Sequence, residues 1–147
     1  MVRYLKRDYP VKRILADGII SVAFVVLGLW EFFVAISIYD VGHDRMSPKD
    51  LAKTVNHLIL PMYMVHFITC LFILLTGKWI QFLLQVPLLI YHLKLYLSKK
   101  AKIDSLTIRR TDTWKKVFFA HTIETGYYTV AFLISFVMFV FPSSLFL

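Results

Sequence analysis

Five ionisable residues stand inside long apolar runs: Glu31, His66, His92, His121 and Glu124. A carboxylate or imidazole in a bilayer interior is costly and turns toward the inside of a helix bundle or a water-filled cavity. Each is therefore a candidate for proton movement, ion passage or ligation. His121 and Glu124 are three apart, share a helix face and are placed to hydrogen-bond each other. His66 with His92 or His121 is the pair that haem ligation would require. The spacings are generic, with no HxxxH or HxxHH pattern of the kind a membrane di-iron enzyme needs. We read the rings as helix-end groups or interhelical hydrogen-bond partners, and the two glutamates as protonated or internally paired residues that fix packing. No metal and no cofactor is expected. Nor is an enzyme: there is no G-x-S-x-G, and Cys70 lies in mid-span without an evident base. Pro61 and Pro87 each remove a backbone donor from an apolar run and bend it. In a transporter such breaks mark a binding site; here they can equally shape a hairpin.

These residues are carried by an unusually apolar chain. Of 147 residues, 59% are hydrophobic and 16% aromatic, with a mean hydropathy of +0.67. A soluble domain of this size exposes too much surface to accommodate that composition. The same figures exclude intrinsic disorder, and the single cysteine excludes an internal disulfide framework. A helix needs about 20 apolar residues to cross a bilayer, and four stretches qualify. Residues 18–38 hold one acid, Glu31; 57–77 hold no charge; 79–97 hold only Lys94; and 117–141 hold only Glu124. As one helix, residues 57–97 would reach roughly twice the bilayer core. The Thr76-Gly77-Lys78-Trp79 stretch combines turn chemistry, a charge and an interfacial aromatic. The expected fold is an all-α integral membrane protein, a single-domain four-transmembrane-helix bundle with a tight hairpin between spans two and three.

The net charge of +8 is unevenly placed. The third loop region holds Lys94, Lys99, Lys100, Lys102, Arg109, Arg110, Lys115 and Lys116; the first loop holds Arg45, Lys49 and Lys53. The hairpin adds only Lys78. The positive-inside rule then makes the first and third loops cytosolic and both termini lumenal or extracellular. Arg3, Lys6, Arg7, Lys12 and Arg13 argue the other way, toward three spans, but that requires residues 57–97 to cross once. Length decides for four. The first span is too long for a cleaved signal peptide and is expected to act as a retained anchor. The basic third loop suits anionic lipid headgroups or an acidic partner. Without aromatic interleaving or a groove-reading motif, no nucleic acid is expected.

The run Leu60-Pro61-Met62-Tyr63-Met64-Val65-His66 resembles the L-P-E-Y-x-I-H segment of the cornichon family. Gly77-Lys78-Trp79-Ile80, followed by Phe82 to His92 with Gln85, Pro87 and Tyr91, is similar to that family's G-x-W…L-N-V-P-L-L-x-Y-H/N signature. Asp44, Ser47-Pro48, Asp50-Leu51 and Asn56 fall where cornichons carry D-x-x-N-P-x-E-L-x-x-x-x-N. The resemblance implies a receptor that binds transmembrane cargo in the endoplasmic reticulum (ER) membrane, engages the COPII coat and cycles between ER and Golgi. On this basis the kinked spans two and three, with span one, are expected to present a groove to a cargo helix, with the signature residues Pro61, Tyr63, His66, Trp79, Gln85, Pro87 and Tyr91 as its candidates. The resemblance also places a coat-binding motif, I-F-R-T-L in the family, at Ile108, Arg109, Arg110, Thr111 and Asp112. Arg109 replaces an aromatic there, Asp112 a leucine, and Met62 a frequent glutamate. The family histidine of the fourth span corresponds to His121. Two competing classes are an auxiliary subunit of a receptor or channel at the cell surface and a membrane haem or metal protein.

Overall fold

A computed structural model describes the backbone of residues 2–141 and the side chains of 11–110 and 112–141. Within them lie four α-helices and no strand. They are α1 (Val2–Gly42), α2 (Pro48–Leu75), α3 (Trp79–Leu97) and α4 (Thr111–Val140). Each is long and apolar enough to cross a membrane. The third agrees with the expected 79–97. The others start earlier than 18, 57 and 117 because helix formation does not stop where apolarity does. Ser47 caps α2, its Oγ accepting the Asp50 N–H at 3.1 Å, and Pro48 follows at the first helical position. The polar residues 48–56 are therefore helical although they cannot span. At about 1.5 Å per residue, α1 is roughly twice as long as the bilayer core is thick, so its ends project beyond the hydrocarbon. The side chains of Arg3, Lys6 and Arg7 lie outside the described residues.

Three helix ends close in the same way. After α2 the Lys78 N–H reaches the Ile73 carbonyl and the Gly77 N–H reaches Leu74, with Gly77 at φ +75°. This double bond is the Schellman motif, and it turns the chain directly into α3. Asp44 and Lys99, both at φ +57°, do the same after α1 and α3. The expected hairpin is thus made by two orphan carbonyls and one residue free to adopt the left-handed conformation.

Burial follows a repeat near 3.5 residues on every helix. On α1 the seam is Ile20, Phe24, Leu27, Glu31, Val34, Ile38 and Val41; on α4 it is His121, Glu124, Tyr128, Ala131 and Ser135. On α3 it is Gln81, Gln85, Leu88 and His92. Seams of this period pack helices nearly side by side. The outward faces are apolar, with Val22, Leu29, Phe32, Leu83, Ile90 and Leu133 exposed, as lipid requires. The closest packing is between α1 and α4. Small residues permit it: a Cβ on Gly42 would lie 2.5 Å from the Trp114 ring.

The third loop is anchored rather than loose. Asn56 of α2 donates from Nδ2 to the Ile103 carbonyl at 2.9 Å and accepts the Ile103 N–H at Oδ1 at 2.7 Å. Ile103 and Ile108 are buried beneath it. Asn56→Ala removes both bonds at once. It should release the loop selectively, raising amide exchange of residues 101–108 at least tenfold while the helices stay protected; unchanged exchange would show that the clamp is dispensable.

Candidate functional site

The seam positions bring the ionisable residues of all four helices together. His121 Nδ1 donates to Glu31 Oε2 at 2.7 Å, joining α4 to α1. His92 Nε2 lies 2.9 Å from Glu124 Oε2, joining α3 to α4. His92 Nδ1 meets His66 Nδ1 at 3.1 Å, and His66 Nε2 donates to Gln85 Oε1 at 3.2 Å, joining α2 to α3. Tyr63 stacks on the His92 ring at 4.2 Å, and Tyr128 meets the His66 ring edge-on at 5.3 Å. Glu31 and His66 are wholly buried, and none of the five ionisable residues is more than 9% exposed.

The bond order constrains the protons. His66 uses Nε2–H toward Gln85, so in its neutral form its Nδ1 is an acceptor and His92 must donate Nδ1–H to it. Neutral His92 then has a bare Nε2 facing Glu124. One proton lies between them, on a carboxylic acid or on an imidazolium. Glu31 Oε1 is buried without any partner. Such sharing is the ordinary way for a membrane interior to hold charge-bearing groups.

Several expectations change in this arrangement. His121 and Glu124 share a face, but each bonds to a different helix instead of to the other: His121 to Glu31 of α1 and Glu124 to His92 of α3. His66 and His92 are in direct hydrogen-bond contact, which leaves no room for a haem iron between their facing nitrogens. The implied groove candidates divide into two sets. Tyr63, His66 and Gln85 are buried in the network, whereas Pro61, Trp79, Pro87 and Tyr91 face outward. Ile108 is buried and offers no side chain to a partner. Arg109 and Arg110 are exposed, with Arg109 3.1 Å from Asp44 of the first loop; the Thr111 side chain lies outside the described residues.

Sequence reasoning missed two features. Lys78, read as an interfacial hairpin residue, is buried and paired with Asp17 of α1. The Gln81 amide of α3 reaches Met138 Sδ at 2.9 Å on α4. The 3.5-residue seam was a usable signal for Gln81, which shares the register of Gln85 and His92. Nothing local marked Asp17 as the partner of a residue in a distant turn.

Two openings flank the network. At the loop end a cavity of about 520 Å³ is lined by Lys99, Lys100, Lys102 and Lys116 and reaches inward to His121 and Glu124. Between α3 and α4, nearer the hairpin, a cleft of about 340 Å³ is lined by Leu84, Tyr127, Val130 and Ile134, with Gln81, Gln85 and Ser135 as its polar part.

The molecule is thus a four-span helical membrane protein held by a polar seam, with an incompletely closed side between α3 and α4. The chain belongs to the cornichon family: the family described as Cornichon protein matches residues 16–139. It is 36% identical to Protein cornichon homolog 3 of Arabidopsis thaliana over 103 residues, which is 67% of this chain and 75% of that one. It is 28% identical to Protein cornichon of Drosophila virilis over 120 residues, covering 78% and 82% of the two chains. It is 33% identical to the ER-derived vesicles protein erv14 of Schizosaccharomyces pombe over 82 residues, covering 56% and 60%. The chain spans less than two thirds of two other relatives, 65% of Probable protein cornichon homolog 2 and 59% of Protein cornichon homolog 4, both of A. thaliana. No solved structure matches.

Proposed function

We propose that this protein is a cargo receptor of the ER membrane, which binds transmembrane segments of client proteins and promotes their packaging into COPII vesicles bound for the Golgi. The observation that carries this reading is membership of the cornichon family, with a relative named for ER-derived vesicles among its matches. The function is one of binding rather than catalysis. The first and third loops face the cytosol and the hairpin faces the lumen.

The fold suits the role because α3 is bound to the bundle chiefly through α2, and its opposite side leaves the apolar cleft against α4 open. A client helix lying along that cleft would cover Leu84 and Val130 and meet the Gln81 and Gln85 amides. Apolar packing supplies contact there, and the amides add discrimination, since a buried amide left unpaired disfavours a wrong client. This reading places the client-binding surface between α3 and α4, where the expectation was a groove of spans two and three with span one.

The coat contact rests on Arg109 and Arg110, which are exposed. Arg109→Ala with Arg110→Ala should leave client co-purification intact and lower client packaging in a reconstituted budding reaction severalfold. A photo-crosslinker at Leu84 should capture client, while one at Leu29 on the outer face of α1 should not. Full packaging by the double variant would remove the coat role, and equal crosslinking at both positions would remove the cleft.

A further inference from the structure

We propose that the buried network is a binding site for one divalent transition metal of the zinc class, held by Glu31, His92 and Glu124. One donor atom from each of these residues lies within 4.8 Å of the other two, and all three residues are buried. They come from α1, α3 and α4, so no ligand motif exists along the chain, and the expectation of no metal reflected spacing alone.

Three further observations point the same way. The first is donor orientation. His66 accepts Nδ1–H of His92, which leaves His92 Nε2 as the lone-pair nitrogen facing Glu124. Metal-bound histidines are held in this way, by a hydrogen bond at the other ring nitrogen. His121 does the same for Glu31, fixing Oε2 and leaving Oε1, which is buried and has no partner. The second is charge. Two carboxylates, one neutral imidazole and one divalent cation sum to zero, which is what a low-dielectric interior demands. The third is access. The loop-end cavity reaches Glu124 and His121, giving the ion a route and leaving space for a water as fourth ligand. Nitrogen and carboxylate donors without a thiolate suit zinc or a similar first-row ion better than a soft one. Cys70 is not in the ligand set.

Binding displaces the proton shared by His92 and Glu124, so uptake of the ion is accompanied by release of a proton to solvent. The site is independent of the client-binding role: it would tie α1, α3 and α4 together whether or not a client is present.

The test uses the full chain purified from membranes in detergent, stripped with a chelator and titrated with zinc chloride. We expect one equivalent of zinc to survive gel filtration and to raise the unfolding temperature. Glu124→Gln and His92→Gln should each weaken binding at least tenfold. His66→Phe, which removes the orienting bond and leaves all three ligands in place, should weaken it about 10–100-fold. Because any of these variants can fail to fold, the unmodified chain is also loaded with cobalt(II). It should develop visible ligand-field absorption of low-symmetry nitrogen–oxygen coordination, unchanged in Cys70→Ala. Absence of retained zinc, of cobalt absorption and of any thermal shift in the unmodified chain would overturn the proposal and leave a network that holds protons only. Undiminished binding by a folded Glu124→Gln variant would overturn the ligand assignment.

Discussion

Lys78→Met should destabilise the protein more than any substitution of an exposed charge, by about 3–5 kcal/mol. The Lys78 ammonium is paired with the Asp17 carboxylate, and both side chains are less than a tenth exposed. Removing the cation leaves Asp17 buried beside the hairpin with neither water nor a counter-charge. The pair is also the contact that ties the α2–α3 turn to α1, so its loss loosens the whole hairpin end. The exposed pair between Arg45 and Asp40, 3.8 Å apart, provides the contrast. Water screens it, and Arg45→Met should cost less than about 1 kcal/mol. Unfolding of each variant in mixed micelles, followed by tryptophan fluorescence, measures both. The double change Asp17→Leu with Lys78→Met removes the stranded charge and should recover most of the loss. If the double variant is as unstable as Lys78→Met, the damage comes from lost packing and not from an unpaired carboxylate.

His121→Leu is expected to have an effect of the same order, about 3–5 kcal/mol, through the opposite end of the bundle. His121 is the hydrogen-bond donor to Glu31 at 2.7 Å, and the other oxygen of Glu31 already lacks a partner. The substitution therefore leaves a wholly buried carboxyl group with nothing to bond. It also severs the polar link across the α1–α4 interface, the closest packed in the molecule. Glu31→Gln should be far milder, about 1–2 kcal/mol, because an amide oxygen still accepts the His121 proton. The same unfolding measurement separates the two. Equal losses would mean that the charge of Glu31, and not its hydrogen bond, holds the helices together.

Both expectations concern polar residues at seam positions, and these were only half legible in the chain. Glu31 and Glu124 announced themselves as lone charges in apolar runs, and the inference that they face the bundle interior agrees with their burial. The choice of partner was not available. A helix repeat places His121 beside Glu124, yet the bonds that form are to Glu31 and His92, on helices separated from α4 by long stretches of chain. The pairing of Lys78 with Asp17 is of the same kind. Periodicity reports which face a residue occupies. It carries no information on which other face is turned toward it.

The clamp between Asn56 and Ile103 and the burial of Ile108 extend the point to the third loop. A stretch that reads as a basic cytosolic linker is folded down onto the bundle, which buries Ile108 and leaves Arg109 and Arg110 accessible among the coat-binding candidates.

What the amino-acid sequence determined by itself was the solvent and the number of crossings. Apolar runs of bilayer length must be helices, since lipid satisfies no backbone group, and Thr76-Gly77-Lys78 must turn because Gly77 can adopt positive φ. The tertiary structure decided the rest: that histidines and glutamates of four helices form one network, and that the open side lies between α3 and α4. Hydrophobicity acts along the chain and is read from composition. A hydrogen bond is directional and short, so it exists only once two helices have been set at a particular rotation and depth.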